Sequence, residues 1–124
     1  MIKIILLIII GYNQLTGQLF EDITDQSGTG VYRPQYSFFG AGATMADFNQ
    51  DGLIDVFVAT PNGEALKVFH NLGNETFEEV ADEIGLGDEA IESINILVAD
   101  YDNDGHEDIF VVNWQGQSNL YHND

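Results

Sequence analysis

Two nine-residue segments of this chain are almost copies of each other, and they constrain its fold more than any other feature. The first reads Asp-Phe-Asn-Gln-Asp-Gly-Leu-Ile-Asp over residues 47–55, and the second reads Asp-Tyr-Asp-Asn-Asp-Gly-His-Glu-Asp over residues 100–108. Each places oxygen-bearing side chains at relative positions 1, 3, 5 and 9, with a glycine at position 6. This spacing is typical of a loop that wraps around a hard cation such as calcium, and the duplication predicts a modular fold.

The candidate ligands follow from the geometry of calcium, which takes roughly six to eight oxygen atoms at about 2.3–2.6 Å. A tight loop supplies them when alternate side chains turn inward and the glycine adopts a positive φ. The first loop offers the side chains of Asp47, Asn49, Asp51 and Asp55 and the main-chain carbonyl of Leu53. The second offers the side chains of Asp100, Asp102, Asp104 and Asp108 and the carbonyl of His106. With four carboxylates, the second loop is expected to bind calcium more tightly, and magnesium ranks second because it prefers rigid octahedral sites.

Two other interpretations of these loops explain less. An EF-hand needs a bidentate Glu at position 12 and flanking helices, whereas this position holds Val58 or Val111 and the following runs are β-rich. Simple hairpin turns at the two Asp-Gly pairs are possible, but they leave the other carboxylates without a role. The histidines His70 and His122 occupy equivalent positions of the repeat, and we expect them to be structural residues at strand ends rather than metal ligands.

The segments around the loops predict strands, because they are short, β-branched or aromatic, and bounded by Gly, Asn and Asp. Strands are expected at 42–46, 54–60, 66–70 and 76–80, which together form one four-stranded antiparallel propeller blade over residues 42–80. Residues 94–124 supply three strands of a second blade, residues 20–23 predict a lone outer strand, and residues 82–86 are the one possible helix. The expected fold class is therefore all-β, with about one and a half to two blades of an incomplete β-propeller.

Propellers typically close with about four to eight blades, so we expect the chain to be a fragment of a longer protein. The alternative is a complete small β-sandwich. Residues 1–18 predict a secretory signal peptide, with a basic start and an aliphatic run at 4–10 that is far shorter than the ~20 residues of a membrane-spanning helix. The alternative for that run is a buried strand. Residues 19–124 are then the repeat region of a secreted or cell-surface protein without a stable membrane span after signal removal.

The charge of the chain is extreme, with 3 basic and 21 acidic residues and a net charge of −18. This balance argues against nucleic acid as a partner, because binding its backbone requires Lys and Arg. Such a charge is also typical of disordered chains, but 44% hydrophobic residues favour a folded one. The chain has no cysteine, which excludes disulfides and thiolate metal sites.

These residues together resemble FG-GAP/VCBS-type repeats, the blades also found in integrin α-subunit propellers. Phe39–Gly42 matches the Phe-Gly signature, both acidic loops match the calcium loop of the family, and residues 77–85 resemble its segment between blades. The resemblance implies a calcium-stabilised propeller for extracellular adhesion, ligand binding or scaffolding, with a protein or glycan partner. No catalytic motif is present, so an enzyme is not expected. The alternative is the N-terminal part of a secreted propeller-containing enzyme whose catalytic residues are not in this chain.

Overall fold

The computed structural model describes residues 20–31, 41–61, 63–87 and 92–124 of the protein. A short helix, α1 (Thr24–Ser27), and a turn of 3-10 helix (Thr29–Val31) come before the strands. The strands are β1 (Ala43–Ala46), β2 (Asp55–Val58), β3 (Lys67–Gly73), β4 (Thr76–Glu79), β5 (Ser93–Ala99), β6 (Asp108–Asn113) and β7 (Asn119–Tyr121).

These strands form two antiparallel sheets in which neighbours in space are also consecutive in sequence. The first sheet has the order β1-β2-β3-β4 and the second the order β5-β6-β7. This meander is the connectivity of propeller blades, whereas most sandwiches contain Greek-key connections. The structure thus confirms the all-β prediction and is consistent with two blades of an incomplete propeller.

The two sheets pack face to face around one apolar core. Phe57 and Val68 lie on the face of the first sheet turned toward the second, and both side chains are 0% exposed. Val111, also 0% exposed, comes from the facing side of the second sheet. Residues between the sheets complete this core, whose buried members are Ala46, Phe57, Ala59, Leu66, Val68, Val80, Ala81, Leu86, Ile96, Ile109 and Val111. Because each strand alternates its side chains, the same strands present their other residues outward.

Hydrogen bonds also join the two sheets. The N–H of Gly42 donates to the carbonyl of Ile94 at 3.0 Å, directly before β1 and β5. The N–H of Thr60 donates to Ser93 Oγ at 2.9 Å, and both residues are buried. The relative position of the sheets is therefore fixed by backbone contacts as well as by the core.

The first blade agrees with its prediction in the number and order of its strands. Strands β1, β2 and β4 fall within the expected segments, whereas β3 runs three residues beyond its expected end at residue 70. Two local predictions are wrong. Residues 20–23 form no strand and lead directly into α1, and residues 82–86 form a turn in which Leu86 N–H donates to the carbonyl of Ala81 at 2.8 Å.

Several predictions fall on parts that the structure does not describe. The expected signal peptide at residues 1–18 and the residues Phe39 and Gly40 of the Phe-Gly signature lie outside the described residues. The boundaries at 18/19 and the division into 42–80 and 94–124 stay predictions. In the part of the chain that is described, no helix has the length and apolar character needed to cross a bilayer.

Candidate metal centre

The first acidic loop connects β1 to β2 and is held by its own side chains. Asp47 accepts hydrogen bonds from the N–H groups of Asp51 at 3.0 Å and Gly52 at 2.9 Å. Asn49 accepts a second bond from Asp51 N–H at 3.1 Å, and Asp51 accepts one from Leu53 N–H at 2.8 Å. The oxygen atoms at positions 1, 3 and 5 are therefore all drawn toward the inside of the loop, as the sequence predicts.

The second loop, between β5 and β6, repeats this arrangement bond for bond. Asp100 accepts from the N–H groups of Asp104 at 3.1 Å and Gly105 at 3.0 Å. Asp102 accepts from Asp104 N–H at 3.2 Å, and Asp104 accepts from His106 N–H at 2.8 Å. The duplication in sequence is thus a duplication of local structure.

Both loops reverse direction through left-handed backbone at positions 4 and 6. Gly52 and Gly105 have φ values of 88° and 97°, which confirms the predicted role of the two glycines. The residues two positions earlier, Gln50 and Asn103, have φ values of 59° and 63°. Sequence reasoning did not anticipate this second left-handed residue, although Asn is one of the residue types that enter this region most readily.

The last aspartate of each loop is the first residue of the following strand and is buried. Asp55 is 0% exposed and Asp108 is 1% exposed. Asp55 accepts from the N–H of Phe48 at 3.3 Å and of Asn71 at 2.7 Å. Asp108 accepts in the same way from Tyr101 N–H at 3.1 Å and Asn123 N–H at 2.9 Å. Asp55 therefore ties its loop to β3, and Asp108 ties its loop to the segment that directly follows β7.

The environments of these two aspartates differ in their effect on ionisation. Burial raises the pKa of Asp55 above its ordinary value, although the N–H groups of Asn71 and Phe48 oppose this. At Asp108 the N–H of Asn123 is the main reason for a lowered pKa, and the contact with His122 acts in the same direction. Asp108 is therefore the better prepared of the two to serve as a charged ligand.

The oxygen atoms of the second loop converge closely enough for one cation. Asp100, Asp102 and Asp108 each offer a carboxylate oxygen, and these atoms lie within 4.8 Å of one another. Oxygen atoms bound to one calcium ion at about 2.4 Å lie at most about 4.8 Å apart, so the three residues fit this ion. The carbonyl groups of Leu53 and His106 stay predicted ligands.

Two histidines lie directly against the loops. Nε2 of His70 is 3.1 Å from Asp51 Oδ2 and 2.9 Å from Asn49 Nδ2. The hydrogen bond from this imidazole is the main cause of a lowered pKa at Asp51. The sequence placed His70 and His122 at equivalent strand ends but did not predict that they contact the loops. The matching His-Asn pairs, within β3 in the first blade and directly after β7 in the second, were the available signal.

His122 meets more carboxylates than His70 does. Its Nδ1 is 3.0 Å from Asp108 Oδ1 and 3.6 Å from Asp102 Oδ2, and its Nε2 is 3.1 Å from Asp124 Oδ1. The hydrogen bond with Asp108 is the main cause of a raised pKa at His122. When it is protonated, this imidazole offsets part of the negative charge of the loop.

The two loops also contact each other. Nε2 of Gln50, at position 4 of the first loop, donates to the carbonyl of Gly105 at 2.7 Å. Asn123 Nδ2 donates to the carbonyl of Phe48 at 3.0 Å, which links the end of the second blade to the first loop. The candidate sites therefore lie side by side at one edge of the paired sheets.

Comparisons with known proteins agree with the repeat. A family model described as FG-GAP-like repeat matches residues 47–111, which is more than half of the chain. Mouse cartilage acidic protein 1 is 30% identical over 101 residues, covering 82% of this chain and 15% of that protein. Xenopus laevis integrin alpha-4 is 33% identical over 85 residues, covering 61% of this chain and 8% of that protein.

Cartilage acidic protein 1 of Xenopus tropicalis is 29% identical over 82 residues, covering 66% of this chain and 12% of that protein. The chain thus spans 15% or less of the length of the curated relatives it matches. The similarities support an extracellular β-propeller-type module. The matched region contains both acidic loops and the strands between them, and on this ground the chain belongs to the FG-GAP-like repeat family.

Proposed function

We propose that this chain is an extracellular propeller-type module in which each acidic loop binds one calcium ion. The observation that carries the proposal is the convergence of Asp100, Asp102 and Asp108, whose carboxylate oxygens lie within 4.8 Å of one another. The first loop has the same internal hydrogen bonds, so the same chemistry is proposed for both.

Electrostatics favours a bound cation at these positions. Two carboxylates about 4 Å apart repel each other by about 4 kcal/mol at an effective dielectric constant of about 20. The three converging carboxylates form three such pairs, in a chain whose net charge is already −18. A divalent cation removes this repulsion, and oxygen-only ligands favour calcium over the metals that prefer nitrogen or sulfur.

The proposed role of calcium is structural. Each loop joins the first two strands of its sheet, and its last aspartate accepts a hydrogen bond from a residue in the third strand or directly after it. A bound ion therefore stabilises the native blade and not the unfolded chain. By mass action it adds roughly 2.7 kcal/mol to the free energy of unfolding when free calcium is a hundredfold above the dissociation constant.

The proposed biological role is recognition or scaffolding of an extracellular protein or glycan rather than catalysis. Two features support it: the similarity to cartilage acidic protein 1 and integrin alpha-4, and the use of the loop carboxylates as a repeated framework.

Calorimetric titration of the full chain, after treatment with a chelator, tests the calcium proposal. We expect two binding events for the unmodified chain, with the tighter one lost in Asp104→Ala and the weaker one lost in Asp51→Ala. The double variant should bind no calcium. Glu75→Gln is the matched control, because Glu75 is an exposed acidic residue at the turn between β3 and β4, outside both loops.

Circular dichroism of each variant in chelator shows whether the sheets are retained. The proposal is contradicted if the folded double variant takes up calcium like the unmodified chain. It is also contradicted if Glu75→Gln weakens binding as strongly as the loop variants do, because binding would then depend on net charge and not on the loops.

A further inference from the structure

A chain of hydrogen bonds joins the buried aspartates of the two acidic loops. Asp55 Oδ2 accepts a hydrogen bond from the N–H of Phe48 at 3.3 Å. The carbonyl of Phe48 accepts one from Nδ2 of Asn123 at 3.0 Å. The backbone N–H of Asn123 in turn donates to Asp108 Oδ1 at 2.9 Å. Phe48 and Asn123 therefore connect the ninth position of one loop to the ninth position of the other.

The bond from Asn123 to Phe48 is additional to the bonds that Asn123 makes within its own blade. Asn71, its counterpart in the first blade, donates Nδ2 to the carbonyl of Ile54 at 3.0 Å. Asn123 makes the equivalent bond to the carbonyl of Glu107 at 3.3 Å and adds the one to Phe48. Because a carbonyl group can only accept, both bonds require the same orientation of the Asn123 amide. This side chain thus links one blade to the other.

A second link joins the tips of the two loops. Gln50 Nε2 donates to the carbonyl of Gly105 at 2.7 Å, and the same nitrogen lies 3.2 Å from Nδ1 of His106. Gln50 lies between the proposed ligands at positions 3 and 5 of its loop, and Gly105 directly precedes position 7 of the other. Both residues have left-handed backbone, with φ values of 59° and 97°. Their contact therefore holds the two loop backbones in the conformation that turns the oxygen atoms inward.

We propose that the two loops bind calcium cooperatively, so that an ion in the second loop raises the affinity of the first. Such cooperativity rests on the proposed function, because it requires both loops to take calcium. An ion in the second loop restricts Asp108 and the turn at Gly105. Their partners Asn123 and Gln50 then restrict the first loop at Phe48 and at its tip. Part of the conformational entropy that the next ion must remove is already lost, which produces positive cooperativity.

Calorimetric titration of the full chain with calcium, after treatment with a chelator, measures this coupling. Asp104→Ala leaves the first loop to bind calcium, and Asp51→Ala leaves the second. The overall constant for binding two ions to the unmodified chain should exceed the product of these single-loop constants by about fivefold or more. A product equal to the overall constant, with both loops binding, overturns the cooperativity and leaves the proposed function standing. An unmodified chain that takes up no calcium overturns both.

Removing the two links tests their role while every proposed ligand stays in place. In Gln50→Ala combined with Asn123→Ala, both loops should still bind calcium, but the overall constant should equal the product of the single-loop constants measured in the same background. Asn71→Ala is the matched control, because it removes the same amide from the counterpart position, where Nδ2 donates within the first blade. The fivefold excess should persist in this control.

Circular dichroism in chelator shows which variants retain the sheets. If a single-loop variant does not fold, the overall constants decide: the variant without the links should fall about fivefold or more below Asn71→Ala. An equal overall constant in these two variants overturns the proposal. Persistence of the excess without the links overturns it as well, and so does loss of the excess in Asn71→Ala.

Discussion

Asp55 and Asp108 show how one residue type serves both the local loop and the blade around it. From the sequence, each is only the ninth position of a cation loop. In the structure, each carboxylate accepts a backbone N–H from position 2 of its own loop. It accepts another from Asn71 in β3, 16 residues after Asp55, or from Asn123 just beyond β7, 15 residues after Asp108. These aspartates therefore stabilise the blade whether or not a cation is bound.

Replacing Asp55 in the absence of calcium tests its role in stabilising the blade separately from any role in cation binding. In chelator, Asp55→Ala should lower the free energy of unfolding by roughly 2–6 kcal/mol, because the N–H groups of Phe48 and Asn71 lose their acceptor and such losses cost about 1–3 kcal/mol each when the groups are buried. Urea unfolding followed by circular dichroism measures the change.

Asp51→Ala is the matched control for this experiment. Asp51 accepts its backbone bond from Leu53 at the exposed tip of the loop, where water can replace it. In chelator this variant should unfold close to the unmodified chain. An equal loss for both variants would show that Asp55 has no special structural role.

At the scale of elements, pairing partners decide which predicted strands form. Residues 20–23 carry the same Phe-acidic-acidic-aliphatic pattern as the β4 region, yet Phe20 is 88% exposed and these residues make no ladder. A strand needs a neighbour, and none of the described strands pairs with this segment. The chain instead turns into α1, which ends at Gly28 with a φ of 86°.

Close packing of the start of β1 against β5 requires a residue without a side chain at position 42. A Cβ atom added at Gly42 would lie 2.8 Å from the Cα atom of Asn95, so a larger residue forces the sheets apart. Gly42→Ala should therefore lower the free energy of unfolding by roughly 1–3 kcal/mol, the usual cost of overpacking. Thermal unfolding measures the shift.

Gly30→Ala makes the same chemical change without a backbone clash. Its added Cβ would meet Thr24 Cγ2 at 3.3 Å, and no contact shorter than this arises there. This control should cost clearly less than Gly42→Ala. Equal stability of Gly42→Ala and the unmodified chain would mean that the sheets are not packed as closely as the structure shows.

At the scale of the whole molecule, charge opposes the packing that the core favours. A net charge of −18 on 124 residues produces repulsion throughout the folded chain. Compaction brings the carboxylates together, so the unfolded state relieves part of this repulsion. Cations, whether bound in the loops or present as salt, reduce this repulsion and so favour the folded state.

Salt should therefore stabilise the protein in the absence of calcium. Raising sodium chloride from about 0.01 M to about 0.15 M shortens the Debye length from roughly 30 Å to roughly 8 Å. In chelator the melting temperature should rise, by roughly 4–8 °C for each kcal/mol gained in a domain of this size. Differential scanning calorimetry measures this shift.

The calcium-saturated protein provides the comparison, because bound ions neutralise part of the charge and leave less repulsion for salt to screen. Its melting temperature should respond more weakly to sodium chloride. A melting temperature that falls with salt in chelator would show that attractive ion pairs, rather than repulsion, dominate the electrostatics.

Features that depend on residues close together in the chain could be predicted from the amino-acid sequence. The loop at residues 100–108 closes through hydrogen bonds that span two to five residues, so its composition was enough to predict inward oxygens and the left-handed glycine. Alternating apolar residues similarly predicted the strands. Duplication of both signals predicted repeated blades.

Contacts between segments far apart in the chain could not be predicted in this way, because they depend on how the strands and sheets pack. Contact of His70 and His122 with the loops, burial of Asp108, and exposure of Phe110 where its repeat counterpart Phe57 is buried all depend on which strand or sheet lies alongside. Two copies of nearly one sequence differ in burial because only one of them has a sheet packed on that face. The sequence pattern indicates which residues can be buried, and the packing of the two sheets determines which of them are buried.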